Sequence, residues 1–279
     1  EPYRAISISA GLTPAGLKHP MVREFLAVKR RPSNRGLSGA VTFEGTWMVG
    51  QALAAGLKLE AVFVCPRSAE GLALARKAVG SGARGYAVSE KVISRLAGRD
   101  GPDSQDGIVG IGQLPRRTLG DISVGPGTRV VIADGWDLPG NLGTLIRCAD
   151  AAGASGVLVI EQGFRLSHPL VVRASMGSAL AMPVVATDRE AARHWLREGT
   201  FRIVAADPAG SRSYRDVDYR GPLAIVVGSE RRGLPAEWLS AADSIAAIPM
   251  LGTCDSLNAA VAGALLLYQA LAQASLEPG

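Results

Sequence analysis

Three short segments hold the side chains of this chain whose types and spacing could do chemistry. "LPGNLGTLIRCADAAGASG" sets Asn141 near its start and Arg147, its only cation, further along. "VVGSERRGLP" frames Glu230 between Gly228 and Gly233. "IPMLGTCDSLNAAVAGALLLYQ" gathers Thr253, Asp255, Ser256 and Asn258 at the mouth of a helix that is apolar nearly all round. The first N–H groups of such a helix are unsatisfied and form a positive end. Gly252 would let the backbone approach a ligand closely, and Ser256 and Asn258 could donate or accept hydrogen bonds there. The plainer reading of this segment is an N-cap, with Asp255 or Ser256 satisfying the helix start.

Other chemistries lack their signatures. There is no GxxxxGK[ST] phosphate loop, no GxGxxG opening a helix after the first strand of either half, and neither GxSxG nor HExxH. His19, His168 and His194 are isolated and read as surface or packing residues. No carboxylate cluster has metal-ligand spacing, so no metal is expected. Cys65, Cys148 and Cys254 are far apart and odd in number, which points to a reducing cytoplasm rather than a zinc site or disulfide scaffold.

The elements that must position the three segments can be read from apolar runs. "AVTFEG", "LEAVFVC", "GYAVS" and "GIVGIGQL" read as strands alternating with helices around 45–56, 68–79 and 89–98, a small α/β unit. A Gly-, Pro- and Arg-rich stretch, 115–128, reads as a linker. Beyond it "RVVIAD", "GVLVIE", "PVVAT", "FRIVAAD", "LAIVVG" and "SIAAIPM" are continuous apolar runs, as in parallel strands buried on both faces. Open parallel sheets bind ligands outside the carboxyl ends of their strands, and all three polar segments follow such strands.

The 279 residues suffice for one large domain or two ordinary ones. No apolar run is long and unbroken enough to span a bilayer, since Gly263 and Gln269 interrupt the closing helix. "EPYRAISISAGL" lacks a signal-peptide layout. The net charge of +5 permits a nucleic-acid partner. It is concentrated in 18–36, where Lys18, Arg23, Lys29, Arg30, Arg31 and Arg35 face a single acid, Glu24. Such an arm either follows phosphates or is a solvated helix. Arg173 in "VVRASMG" could contact phosphate or be a plain surface charge, while Arg231 and Arg232 read as solvated. Trp136 and Tyr214 could stack bases, although packing is the simpler role.

Taken together and in this order, the three segments resemble the SpoU/TrmH family of RNA ribose 2′-O-methyltransferases, which use S-adenosylmethionine. The resemblance rests on Asn141, Gly143 and Arg147, then Gly228, Glu230 and Gly233, then Ile248, Pro249, Met250, Ser256, Leu257 and Asn258. "FEGTWMVGQALAAGLKLEAVFV" and "YAVSEKVISRLAGRDGPDSQDGIVGIGQLP" look like the ribosomal-protein-like RNA-binding domain that many members carry first. The composition and "VVRASMG" resemble 23S rRNA methyltransferases that confer antibiotic resistance in actinomycetes, avilamycin resistance among them. The implied fold is α/β: an RNA-binding domain over 1–114, a linker over 115–128, and a SPOUT-type parallel sheet with a deep trefoil knot over 129–279.

The resemblance implies a catalytic set of Asn141, Arg147, Glu230, Ser256 and Asn258. It places the cofactor against Ala205, Gly228, Ser229, Gly233, Ile248, Met250 and Leu257. It gives Arg147 the activating role. Because a guanidinium stays protonated, we expect it to hold phosphate and hydroxyl by charge-assisted hydrogen bonds, with Asn141 and Asn258 orienting arginine and ribose. RNA would be met by Arg30, Arg31, Arg35 and Arg173. A cytoplasmic homodimer is implied, acting on RNA with no membrane partner. The alternatives are a tRNA methyltransferase, an inactive RNA-binding assembly factor, and a Rossmann-like enzyme acting on a small molecule.

Overall fold

The computed structural model describes residues 11–30, 39–98 and 107–274. Its main division falls between Pro115 and Arg116. The first unit runs β1 (Thr13–Pro14), α1 (Pro20–Arg30), β2 (Ala40–Glu44), α2 (Gly45–Ala54), β3 (Leu59–Val64), α3 (Ala69–Gly80), β4 (Arg84–Ala87), α4 (Glu90–Ala97) and β5 (Ile108–Gln113). Its sheet has the order β1-β4-β3-β5-β2, parallel on the β4 side and antiparallel where β5 pairs β3 and β2. α3 starts at Ser68, whose Oγ accepts from Gly71 N at 3.0 Å, and α4 ends at left-handed Gly98.

The basic arm is in part an amphipathic helix. Met21, Val22, Phe25 and Val28 recur at helical spacing and are buried, with Phe25 edge-on to Phe63 of the sheet. Lys18, Arg23 and Arg30 are exposed. Lys29 is not part of that charged face, because its Nζ donates to Leu96 O at 2.7 Å and pairs with Glu44 at 2.6 Å. Arg31 and Arg35 lie outside the described residues.

In the second unit β6 (Arg129–Asp134), α5 (Pro139–Ala151), β7 (Gly156–Ile160), α6 (Pro169–Ala174), α7 (Ser178–Ala181), β8 (Val184–Thr187), α8 (Arg189–Glu198) and β9 (Arg202–Ala206) come first. Then follow β10 (Arg212–Ser213), β11 (Leu223–Val227), α9 (Ala236–Ala241), β12 (Ser244–Ala247) and α10 (Ala259–Ala274). The sheet is parallel throughout, in the order β10-β12-β9-β11-β6-β7-β8. All six long strands were legible as apolar runs; β10, two residues at an edge, buries too little to leave such a signal.

Side chains alternate between two cores. Val131 and Ala133 of β6 join Leu142, Leu145, Leu266 and Leu267 of α5 and α10. Val130 and Ile132 join Ala192 and Leu196 of α8 and Trp238 of α9 on the other face. Each core contains one fully buried tryptophan, Trp136 in the first and Trp238 in the second. α10 lies close on α5 because Gly263 has no side chain: a Cβ there would come within 2.6 Å of Leu145.

The stretch 115–128 is more than a connector. Thr118 and Asp121 cap each other, Ile122 is buried in the second core, and Gly156 leaves the space Ile122 fills. Thr128 Oγ1 closes the segment, accepting from Gly125 N at 2.7 Å and donating to Ser123 O at 3.0 Å. A single buried isoleucine gives no periodicity, which is why the composition alone read as linker.

Candidate functional site

Outside the carboxyl ends of β9, β11 and β12 lies an open cleft of about 710 Å³. Its wall is apolar, formed by Ala206, Val227, Ala246, Ile248, Met250 and Leu257. Its rim is polar, with Asp207, Ser229, Glu230 and Ser256. Gly228 and Gly233 also line it. A flat neutral base suits such a wall, and hydroxyl or charged groups suit such a rim. The residues present therefore fit a nucleoside-type cofactor.

Six of the seven expected cofactor residues line this cleft: Gly228, Ser229, Gly233, Ile248, Met250 and Leu257. Ala205 does not. It is fully buried in the core under α8 and α9, while its neighbour Ala206 faces the cleft. Successive strand residues point to opposite faces, so an error of one position reverses the side. Gly228 has a reason other than contact with a base: a Cβ there would lie 2.3 Å from the carbonyl group of Gly233. The loop folds back on itself, bridging Ser229 to Gly233, and Gly233 takes φ +64° to allow it.

Glu230 ties the three polar segments together. Its Oε1 accepts from Asn141 Nδ2, from Asn258 Nδ2 at 3.3 Å and from Ala259 N at 3.4 Å. The carboxylate sits at the N-terminus of α10, where the helix dipole favours a negative charge. The cap of that helix is Asn258, whose Oδ1 accepts from Ala260 N at 3.0 Å and Val261 N at 3.3 Å. Neither Asp255 nor Ser256 caps it; Ser256 Oγ instead donates to Asp255 at 3.3 Å. Asn141 and Asn258 thus orient Glu230 and not Arg147.

Arg147 is exposed on α5, with no hydrogen bond or ion pair among the described residues. It stands six residues beyond Asn141, about 9 Å along the helix axis. Next to it, burial pushes the Cys148 thiol up despite the opposing arginine charge. Gly143 is a packing residue: a Cβ would fall 2.5 Å from Val171 O of α6. Arg173 is exposed at the end of α6 and is not part of the cleft lining. Arg30 is exposed at the end of α1.

Three further side chains are placed by their contacts, the two aromatics in the packing role that was the simpler expectation. Arg232 is exposed, as expected, and also donates from Nη2 to Gly135 O at 3.1 Å, while its backbone N donates to Ser229 Oγ at 3.1 Å. Trp136 is buried, and its Nε1 donates to Val227 O at 3.0 Å. Tyr214 packs against the first core, under the Arg215 guanidinium at 5.5 Å.

Sequence reading missed the support beneath the site. Asp134, at the end of β6, is buried and accepts from Trp238 Nε1 at 2.6 Å and from Arg189 at 3.0 and 3.1 Å. Those hydrogen bonds keep the Arg189 guanidinium charged even beyond its ordinary range. An acid at the end of an apolar run was the available signal, in "RVVIAD" as in "FRIVAAD". Among the described residues no cluster of His, Cys, Asp and Glu is placed to hold a metal ion, and no helix is long and apolar enough to cross a membrane.

Comparison with known proteins agrees with this geometry. A family model described as SpoU rRNA Methylase family matches residues 128–268, and one described as MRM3-like substrate binding domain matches 19–107. A 23S rRNA (uridine(2479)-2′-O)-methyltransferase of Streptomyces viridochromogenes is 33% identical over 172 residues, 60% of each chain. A 23S rRNA (guanosine-2′-O-)-methyltransferase of Ralstonia nicotianae is 32% identical over 191 residues, 66% of this chain and 76% of that one. The alignments span 57% to 60% of the length of the first curated relatives. An rRNA methyltransferase structure from Sinorhizobium meliloti superposes with a TM-score of 0.84 at 34% identity, covering 96% of this chain and 100% of that one. An AdoMet-bound structure of an rRNA methyltransferase from the same organism gives 0.81 at 34% identity, covering 95% and 98%.

Proposed function

The chain belongs to the SpoU rRNA methylase family, and from that premise we propose that it methylates a ribose 2′-hydroxyl of structured RNA, 23S rRNA in the first instance. The observation that carries the reading is the Glu230 carboxylate, which gathers all three polar segments at the rim of an apolar cleft. S-adenosylmethionine, when bound, supplies an electrophilic methyl group and leaves as S-adenosylhomocysteine. The apolar wall holds the base and excludes water. Glu230, fixed by Asn141 and Asn258, keeps the segments in register, and Ser256 bonds substrate or cofactor. Arg147, free of partners among the described residues, holds the RNA phosphate and stabilises charge growing on the 2′ oxygen. The proton of that hydroxyl passes to the held phosphate.

Transfer of labelled methyl from S-adenosylmethionine to purified rRNA and tRNA, followed by mapping of the methylated ribose, tests this reading. Label in tRNA alone would move the substrate class. Cofactor binding without transfer to either would favour the assembly-factor alternative. With a 23S target, protection against a ribosome-directed antibiotic in the cytoplasm is the physiological role we assign.

The finer architecture of this reading includes a deep trefoil knot in the second unit and a homodimer. In support of the knot, the chain leaves β12 beside β9 and returns to pack α10 on α5 and β11. In support of the dimer, α10 leaves Val261 and Tyr268 exposed opposite its buried face. Light scattering at micromolar concentration should give twice the chain mass; a fully active monomer would refute the dimer.

The first unit is assigned to RNA capture, with its exposed Lys18, Arg23 and Arg30 meeting phosphates. Each phosphate contact adds about 0.7 to 0.9 to the slope of log affinity against log salt. Changing the three to Gln should therefore flatten that slope by about 2 to 3 while leaving cofactor affinity unchanged. An unaltered slope would make the arm a solvated face.

A further inference from the structure

Of the polar groups on the cleft rim, Asp207 has no part in the three segments discussed above. It follows β9 and is rigidly held. Its backbone N donates to Ala246 O at 3.1 Å, its carbonyl accepts from Gly210 N at 3.0 Å, and its Oδ1 accepts from Ala209 N at 2.8 Å. Gly210 permits this turn, since a Cβ would lie 2.7 Å from Ile245 O. The other oxygen, Oδ2, has no hydrogen-bond or ion-pair partner among the described residues. The only other carboxylate lining the cleft, Glu230, already has three donors on one oxygen.

Resting on the cofactor reading above, we infer that Asp207 recognises the ribose diol of the bound nucleoside. The argument is one of matching chemistry. The apolar wall offers nothing to a pair of hydroxyl donors, and a carboxylate accepts both. An acid at the carboxyl end of a parallel strand is well placed for a ribose hydroxyl in an open α/β sheet. A preorganised acceptor needs no reordering on binding, which favours affinity. Asp207 thus makes the cleft selective for ribonucleosides over their deoxy counterparts.

The test titrates the full chain with two probes, S-adenosylhomocysteine and 5′-methylthioadenosine. The second keeps adenine and ribose but has no amino-acid ammonium. Asp207→Ala should weaken both probes equally, by about ten- to a hundredfold, the usual range for a hydrogen bond to a charged group. Asp207→Asn retains the acceptor for Ala209 N, and so the turn, and should weaken both by a smaller common factor. Loss confined to S-adenosylhomocysteine would mean that the carboxylate reads the ammonium, and would overturn the ribose assignment. A change below about threefold in both probes would overturn it as well. If Asp207→Ala fails to fold, Asp207→Asn decides alone by the same criterion. Wild-type chain that binds neither probe would instead defeat the proposed function, and the inference with it.

Discussion

Arg147→Ala should lower single-turnover methyl transfer by about a hundredfold or more, while affinity for S-adenosylhomocysteine stays within about threefold. The two expectations come from different observations. Arg147 is not among the residues lining the cleft, so the cofactor should not register its loss. It is also the only cation in its segment and is exposed with no internal partner among the described residues, which leaves its five donors for an incoming anion. Deleting one preorganised donor to transition-state charge costs about 10²–10³ in rate. Arg147→Lys keeps the charge but loses the planar fork and should recover only part of the rate. Residual activity above a tenth of wild type in the alanine variant would remove Arg147 from the mechanism.

The second large effect concerns stability. Asp134→Ala should destabilise the second unit by about 3–5 kcal/mol, as expected when one partner of a buried ion pair is removed. The Asp134 side chain is 1% exposed and that of Arg189 20%, so the pair is shielded from water. Without the carboxylate, the guanidinium loses two hydrogen bonds and keeps only the exposed Glu161 at 3.1 Å, and the fully buried Trp238 indole N–H is left unsatisfied. Asp134→Asn should be nearly as harmful, because its amide can accept from one donor but presents N–H groups to the other. Replacing the pair together, Asp134→Leu with Arg189→Met, should recover much of the loss, since the buried charge then has no remnant. Urea unfolding measures all three variants against the wild type. A loss under about 1 kcal/mol in Asp134→Ala would show the network to be ornamental.

The parallel strands and the three polar segments were legible because a strand buried on both faces is a continuous apolar run, and its carboxyl end is a predictable place for function. The misreadings share a cause. They turn on one residue's direction or on a partner distant in sequence. Ala205 and Ala206 differ only in which face of β9 they take. Asn258 outcompetes Asp255 and Ser256 as the cap because α10 begins at Ala259. Lys29 looks like a solvated charge until Leu96 brings a carbonyl oxygen to it, and Arg232, though exposed, also reaches the carbonyl of Gly135. Those partners lie 67 and 97 positions away, beyond any local pattern. Asp134 could be noticed as an acid after an apolar run, but not its ties to Arg189 and Trp238.

The placement of the two buried tryptophans gives the second unit a pair of internal optical reporters. Trp136 and Trp238 sit in separate cores, each with its indole N–H hydrogen-bonded at the strand ends near the cleft. Shielded indoles emit toward the blue, and wetting shifts that emission to the red. Trp47, already 45% exposed in the first unit, contributes little to such a shift. With Trp195, half-buried against the second core, first replaced by phenylalanine and each buried tryptophan then replaced in turn, the surviving one reports on a single face of the sheet. Fluorescence can then tell whether the two cores dissolve together or one before the other, without any attached label.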